Sequence, residues 1–370
     1  MIDSIRLVNS FIGLTQIDSE SFKEGELARA IINKLAVMGV DVRADFAGEE
    51  IGGDTGNLIL RLPGKKDAPS LLFLAHMDTV SARGKIHPVV EKGIIESGGD
   101  TILGADDKVG IAAIIELIEI LKSERIKHGD ITAIFTVAEE KGSLGAKHID
   151  FRMVKADHAF ILDGEGSVGR IIINTPSQNI IKAKFIGKSA HAGIEPEAGV
   201  SSIQAASDAI SNMKLGRIDD ETMANIGVVK GGTAFNVVAA KTYVEGETRS
   251  FSLERLESQT DHMKQCFIEG AKKFGAKVDI KVSRGFTGFH LSPNDKIVKI
   301  VIDAIKGVGL EPELVMSGGG SDANVLNEKG ISAINLAIGM KNPHSEREQI
   351  AISELETLVK VLLEIVKSVS

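Results

Sequence analysis

Apolar and polar positions along this chain switch between two periods, and the switching predicts the elements. Over residues 18–39, Leu27, Ile31, Leu35 and Met38 fall on one helical stripe. Asp18 or Ser19 can cap the start and Gly39 can end it. Compact apolar runs near 57–62 and at 71–76 predict strands. Ile111, Ile114, Ile115, Ile118 and Leu121 predict a helix over 107–122. Further strands are expected at 131–138 and 158–163. Short apolar strands alternating with helices imply a mostly parallel sheet covered on both faces. Such sheets place their sites at the carboxyl ends of strands.

The pattern changes after about residue 176. Strands are expected at 179–187, 225–232, 241–251 and 276–283, with helices at 201–213 and 253–274. That order is β-α-β-β-α-β, the split ferredoxin-like unit. These strands carry more charge, as a sheet with one wet face does. A helix over 294–307, a strand over 332–338 and a helix over 353–368 resume the first style. The expectation is therefore an α/β fold in two parts. A mostly parallel sheet flanked by helices occupies 1–176 and 287–370. An inserted α+β ferredoxin-like domain occupies 177–286.

Composition narrows the function classes. The 370 residues are 43% apolar, enough for one or two domains with sizeable cores. Net charge is −8 and no basic stripe is present, so nucleic acid is not expected as a partner. Trp is absent and there is one Tyr, which argues against an aromatic stacking groove. The single Cys266 excludes an intrachain disulfide and a Cys-based zinc knuckle, and reads as a buried structural thiol. The opening MIDSIRLVNSFIGL reads as neither a signal peptide nor a membrane span, so the expected location is cytoplasmic.

The chemistry gathers where strands stop. His76 and Asp78 lie two residues apart at a strand end, so their side chains share a face. Asp78 can then hold a ring nitrogen of a histidine, or both groups can approach one ion. Downstream come Gly104-Ala105-Asp106-Asp107, Glu139-Glu140, Asp163, and Asn342-Pro343-His344. Each has an ordinary reading by itself. Asp106 or Asp107 can cap a helix, Glu139-Glu140 can be a solvated turn, Asp163 precedes a turn glycine, and His344 can sit on a surface loop. Adjacent strand residues point oppositely, so Glu139 and Glu140 share a site only where the strand has ended. Taken together these groups form a nitrogen and oxygen donor set suited to zinc, manganese or cobalt in a hydrolase. Three ligating carboxylates and a hydroxide neutralise two divalent cations, whereas one ion would leave an uncompensated negative cluster. His87, His128, His148, His158, His262 and His290 read as surface or satisfied groups. His191, in GKSAHAG, lies on a turn where a side chain can project. SGGGSDAN, residues 317–324, opens a short helix but lacks the lysine of a phosphate loop, so no nucleotide is expected.

HMDTV, GADDKVG, AEEKGSLGA, the Asp-Gly turn after ILD, GKSAHAG and NPHSERE occur in that order across nearly the whole chain. The combination resembles the zinc aminopeptidase, carboxypeptidase and aminoacylase family that includes peptidase T and glutamate carboxypeptidase. The resemblance implies that His76, Asp106 and Asp163 bind one metal, and that Asp106, Glu140 and His344 bind another, with Asp106 shared. It implies Asp78 as the group orienting His76, Glu139 as general base, and a cis peptide between Asp106 and Asp107. In the inserted lid domain, His191 resembles the residue that stabilises the oxyanion. Asn236 in GGTAFNVV and Arg249 in GETRSF resemble groups that hold the substrate, with Arg249 on a carboxylate. The implied cofactor is two divalent ions, zinc first, with cobalt or manganese as alternatives. The implied activity is hydrolysis of short peptides, releasing the N-terminal residue of tripeptides or dipeptides by a metal-bridging hydroxide. An N-acyl amino acid or dipeptide amidohydrolase is the alternative. The expected partners are a peptide substrate and a second copy through the lid domain, with neither nucleic acid nor membrane. The segment between His76 and Asp106 is shorter than in peptidase T proper, so pocket walls built from it differ.

Overall fold

Leu71–His76 is buried at every position, as a strand covered on both faces must be. It lies in the middle of an eight-stranded sheet within a computed structural model that describes residues 2–82 and 84–370. The strand order is Val42–Ala44, Leu58–Leu62, Ile131–Thr136, Leu71–His76, His158–Gly164, Ala333–Ala337, Arg170–Asn174 and Glu313–Met316. The four central strands run parallel, and antiparallel pairs appear only toward the two edges. The parallel register sets Leu71 beside Ile131 and His158, so the carboxyl ends of three strands form one rim.

This sheet belongs to a unit made of Met1–Asn174, His290–Ser317 and Ser321–Ser370. The helix Ala105–Ser123 is buried on every side over most of its length. Gly110 makes that position possible, because a Cβ there would stand 2.8 Å from the carbonyl oxygen of Leu162. Glu116, buried midway along the helix, is held by the Arg6 guanidinium at 2.7 and 2.9 Å. A smaller sheet pairs the hairpin Pro88–Glu91 and Ile94–Ser97 with Gln349–Ala351 and Met340–Lys341.

The second unit is Thr175–Phe289 with Gly318–Gly320. Ser177–Ile186, Thr222–Gly231, Lys241–Ser250 and Lys277–Phe286 pair antiparallel, and Ser202–Ser211 and Leu253–Lys273 are its helices. Along Ser177–Ile186 buried and more exposed positions alternate, which gives the sheet one wet face. The covered face packs Ile181, Phe185, Val244, Met263, Cys266 and Phe267, with the Phe185 and Phe267 rings edge to face. Among the described residues no helix is long and apolar enough to cross a membrane.

Several expectations need correction. The helix expected at 18–39 is Gly25–Val37. Residues 19–22 are drawn away from it. The Ser19 hydroxyl donates to the Met77 carbonyl at 2.9 Å, and the Ser21 hydroxyl donates to Asp78 at 2.7 Å. Phe22 turns through a positive φ of 74°. A helix at Ser4–Thr15, capped by Asp3, went unread although Leu7, Phe11 and Leu14 give it a stripe. Arg170–Asn174, Glu313–Met316 and the 88–97 hairpin were also missed, being short and partly polar. The strand expected to 138 ends at Thr136. His148 does face an acid, with Nε2 3.6 Å from Glu50. His158 is neither exposed nor satisfied. It is 8% exposed, and neither ring nitrogen has a hydrogen-bond partner among the described residues.

Burial and the nearby Lys296 charge hold the His158 pKa below its ordinary 6.5. The unfolded chain therefore binds more protons below about pH 6.5, and the folded state loses stability as pH falls. His158→Leu is expected to stabilise the protein by about 1 kcal/mol at pH 8. The advantage should widen at pH 5. Urea unfolding at both pH values checks this, and an advantage that shrinks toward pH 5 contradicts it.

Candidate metal centre

Three strands end at the rim, and each delivers donors there. His76 closes Leu71–His76 and Asp163 lies near the end of His158–Gly164. Glu139 and Glu140 follow Ile131–Thr136 in a single 3₁₀ turn, which releases them from strand alternation so that both can face inward. Ala138 and Ser143 bracket that turn with φ of 49° and 55°. His344 itself has φ of 61°. Left-handed backbone at non-glycine residues persists where surroundings enforce it, and it concentrates at functional sites. Asp106 enters at the start of Ala105–Ser123, and the Asp106-Asp107 peptide is cis.

The atoms converge. His76 Nε2 lies 3.0 Å from Asp106 Oδ1 and 3.8 Å from Asp163 Oδ1. His344 Nε2 lies 3.1 Å from Asp106 Oδ2 and 2.7 Å from Glu140 Oε1. Asp106 thus faces one imidazole with each oxygen. Donor atoms of His76, Asp106 and Glu140 fall within 4.8 Å of one another, as do those of His76, Glu139 and Asp163.

Asp78 does more than orient His76. The main-chain carbonyl of Asp78 accepts from His76 Nδ1 at 2.8 Å, nearer than its carboxylate at 3.4 Å. The carboxylate instead accepts the amides of Glu139 at 2.8 Å and Glu140 at 3.1 Å, together with the Ser21 hydroxyl. Asp107 accepts the amides of His76 and Gly110, both at 3.1 Å.

This geometry fits a cation. With Nδ1 donating to a carbonyl, a neutral His76 presents the Nε2 lone pair to carboxylate oxygens, a repulsive arrangement unless a proton or metal lies between them. Glu140 Oε1 is buried and, among the described residues, has no aligned hydrogen-bond donor although His344 is close. Five nitrogen and oxygen donors without thiolate suit zinc, manganese or cobalt.

Electrostatics agree. Burial works to lower His76, but Asp106 and Asp78 raise it well above 6.5. The Asp106 and Glu140 carboxylates raise His344 to about 10. Burial, with the Glu139 and Asp106 charges, pushes Asp163 well above the carboxylate range. Burial also raises Glu139, opposed by His76 and reinforced by Asp322, Glu140 and Asp78. Asp106 goes the other way, because His344 and His76 overcome its burial.

Sequence reasoning missed three buried acids nearby. Glu24 accepts the amides of Phe22 and Ala138. Asp322 accepts the Thr136 hydroxyl at 2.6 Å. Glu348 accepts three amides of the Asp106 loop. Asp322 and Glu348 lay inside motifs already singled out, SGGGSDAN and NPHSERE, but nothing in their spacing marks burial. A cavity of about 570 Å³ beside His344 is lined by Val80, Ala82, Asp100, Ile102 and Arg347.

The remaining expected residues lie in the second unit. His191 is exposed, and its Nδ1 accepts the Gly193 amide at 3.2 Å. The Ala192 amide donates to the Asn236 carbonyl at 3.0 Å, which sets His191 and Asn236 on neighbouring turns. Arg249 is engaged by Glu247 at 3.0 Å and by the Gly318 carbonyl at 3.0 Å.

The fold and this donor set define a metal-dependent hydrolase class, and comparison with known proteins agrees. The chain belongs to peptidase family M20/M25/M40, whose profile matches residues 72–368. It is 42% identical over 367 residues to protein YqjE of Bacillus subtilis, covering 99% of both chains. The crystal structure of a tripeptidase from Staphylococcus aureus is similar at TM-score 0.93 and 39% identity, covering 100% of this chain and 99% of that one. That of aminopeptidase PepT from Bacillus cereus is similar at TM-score 0.89 and 41% identity, with the same coverage.

Imidazole binds metal in its neutral form, so His76 and His344 must lose the protons their raised pKa values retain at pH 7. Zinc binding to the metal-free protein is expected to release protons and to weaken from pH 8 to pH 6. Calorimetry in buffers of different ionisation enthalpy measures the release. Binding with no proton release contradicts the assignment of these two ligands.

Proposed function

We propose that this peptidase is a two-metal aminopeptidase that removes the N-terminal residue of tripeptides or dipeptides, with zinc as its metal. One observation carries the reading: imidazoles and carboxylates from separate elements converge, with the ring nitrogens of His76 and His344 lying 2.7, 3.0 and 3.1 Å from carboxylate oxygens of Glu140 and Asp106. The names of the similar aminopeptidase and tripeptidase support the substrate class.

His76, Asp106 and Asp163 would hold one ion, and Asp106, Glu140 and His344 the other. Ions held there would supply Lewis acidity, bringing a water's pKa toward about 7 and polarising the scissile carbonyl. Glu139 takes a proton from the attacking water and returns it to the amine nitrogen as the C–N bond breaks. Asp78 keeps Glu139 facing the cluster by holding its amide. We assign His191 to the developing oxyanion, and Asn236 and Arg249 to the substrate. The planar fork of Arg249 suits a carboxylate. A dimer through the second unit and a cytoplasmic location belong to the same proposal.

Glu139→Ala is expected to retain bound metal and to lose turnover by at least ~100-fold. Metal analysis beside peptide hydrolysis tests this, and near-normal turnover removes Glu139 as base. Free tripeptides and dipeptides are expected to be cut, N-acetylated ones spared, and activity lost on chelation and regained with zinc. Cleavage confined to the acetylated peptides would make the enzyme an amidohydrolase instead.

A further inference from the structure

Glu348 follows His344 by four residues and reaches a loop more than 240 positions away in sequence. Its side chain is buried, at 1% residue exposure. Oε2 accepts the amides of Leu103 at 2.8 Å and Gly104 at 2.7 Å, and Oε1 accepts the amide of Asp106 at 3.0 Å. The loop it grips turns at Gly104, with φ of 72°, and then presents Asp106. One further hydrogen bond and a strand pairing fix Glu348 from its own side. Its amide donates to the Ser345 carbonyl at 3.0 Å, and the next residues, Gln349–Ala351, pair with Ile94–Ser97. Lys108, also buried, gives the carboxylate an opposite charge.

We propose that Glu348 is a positioning residue that locks the Asp106 loop to the His344 loop, so that both donors are in place before a metal arrives. The inference rests on reading Asp106 and His344 as metal ligands. An ionised carboxylate only accepts hydrogen bonds, so both oxygens match converging amides. Glutamine keeps the size but turns an NH₂ group toward an N–H donor. Groups that orient metal ligands from behind commonly contribute about 10–100-fold to affinity.

The test is zinc titration of the metal-free full-length protein by calorimetry, for the parent, Glu348→Gln and His344→Ala. Glu348→Gln is expected to weaken zinc binding about 10–100-fold, with KM for a tripeptide nearly unchanged and kcat restored by excess zinc. Its metal-free urea midpoint is expected to move much less than its zinc affinity. Zinc affinity within twofold of the parent overturns the proposal. Zinc binding by the parent that His344→Ala leaves intact overturns the ligand reading itself, and this proposal with it. Should Glu348→Gln fail to fold, amide hydrogen exchange in the metal-free parent decides. Slow exchange at Leu103, Gly104 and Asp106 supports the lock, and exchange at the unprotected rate overturns it.

Discussion

Mutual repulsion among buried carboxyl groups is the constraint around which this site is built. Asp78, Asp106, Asp107 and Asp322 are each 8% exposed or less, and Glu139, Glu140 and Asp163 face the same rim. Burying like charges together costs far more than any single hydrogen bond returns. The fold answers in three ways. Backbone amides take the charge of Asp78, and for Asp107 they offset only part of a burial that raises it. Two imidazoles hold protons more tightly than usual, and Asp163 and Glu139 resist ionisation. The inner oxygens of Asp106 and Glu140 are left facing nitrogen donors, where divalent charge is the natural counterpart.

Much of this was legible in the chain because parallel sheets tie chemistry to position. A buried strand that ends in His-x-Asp, or in Glu-Glu, announces the rim directly. The long stripes at 111–121 and 253–274 were readable for the same reason, since burial and period coincide there. What escaped shares one property: its meaning lies in contacts across long sequence distance. Glu24, Asp322 and Glu348 look like ordinary surface acids in sequence, and only packing reveals them as amide or hydroxyl acceptors. The segment 19–22 failed differently. Its helix propensity is overridden by bonds to Met77 and Asp78, so the strand end recruits residues that local pattern assigns to a helix.

Membership of the peptidase family fixes the reaction type more firmly than the substrate. The strand-end residues form a candidate metal centre, and the metal and proton chemistry proposed for it is common to any amide substrate. Discrimination has to come from walls, and those are loops. The cavity beside His344 draws on Val80, Ala82 and Ile102 from the segment between His76 and Asp106, and on Arg347 from the segment after His344. Those apolar and charged lining residues can be altered without touching a candidate donor atom, so a substrate preference set by such loops can change while the reaction stays constant.

Asp78 shows why the donor atoms cannot drift in the same way. Its carbonyl sets the ring of His76, and its carboxylate sets the amides of Glu139 and Glu140. One residue therefore fixes the orientation of a candidate ligand, the placement of the proposed base and that of a second candidate ligand. Moving the base by rotating the turn would break two bonds to Asp78. Moving Asp78 would release His76, and Ser21 would lose its acceptor. The parts are coupled through shared hydrogen bonds rather than through proximity alone. A general base has to keep its position to a fraction of an ångström. Tying the Glu139–Glu140 turn to the buried Asp78 carboxylate and the His76 ring to the Asp78 carbonyl serves that end, and the bonds to the carboxylate are charge-assisted, the strongest kind available inside a protein.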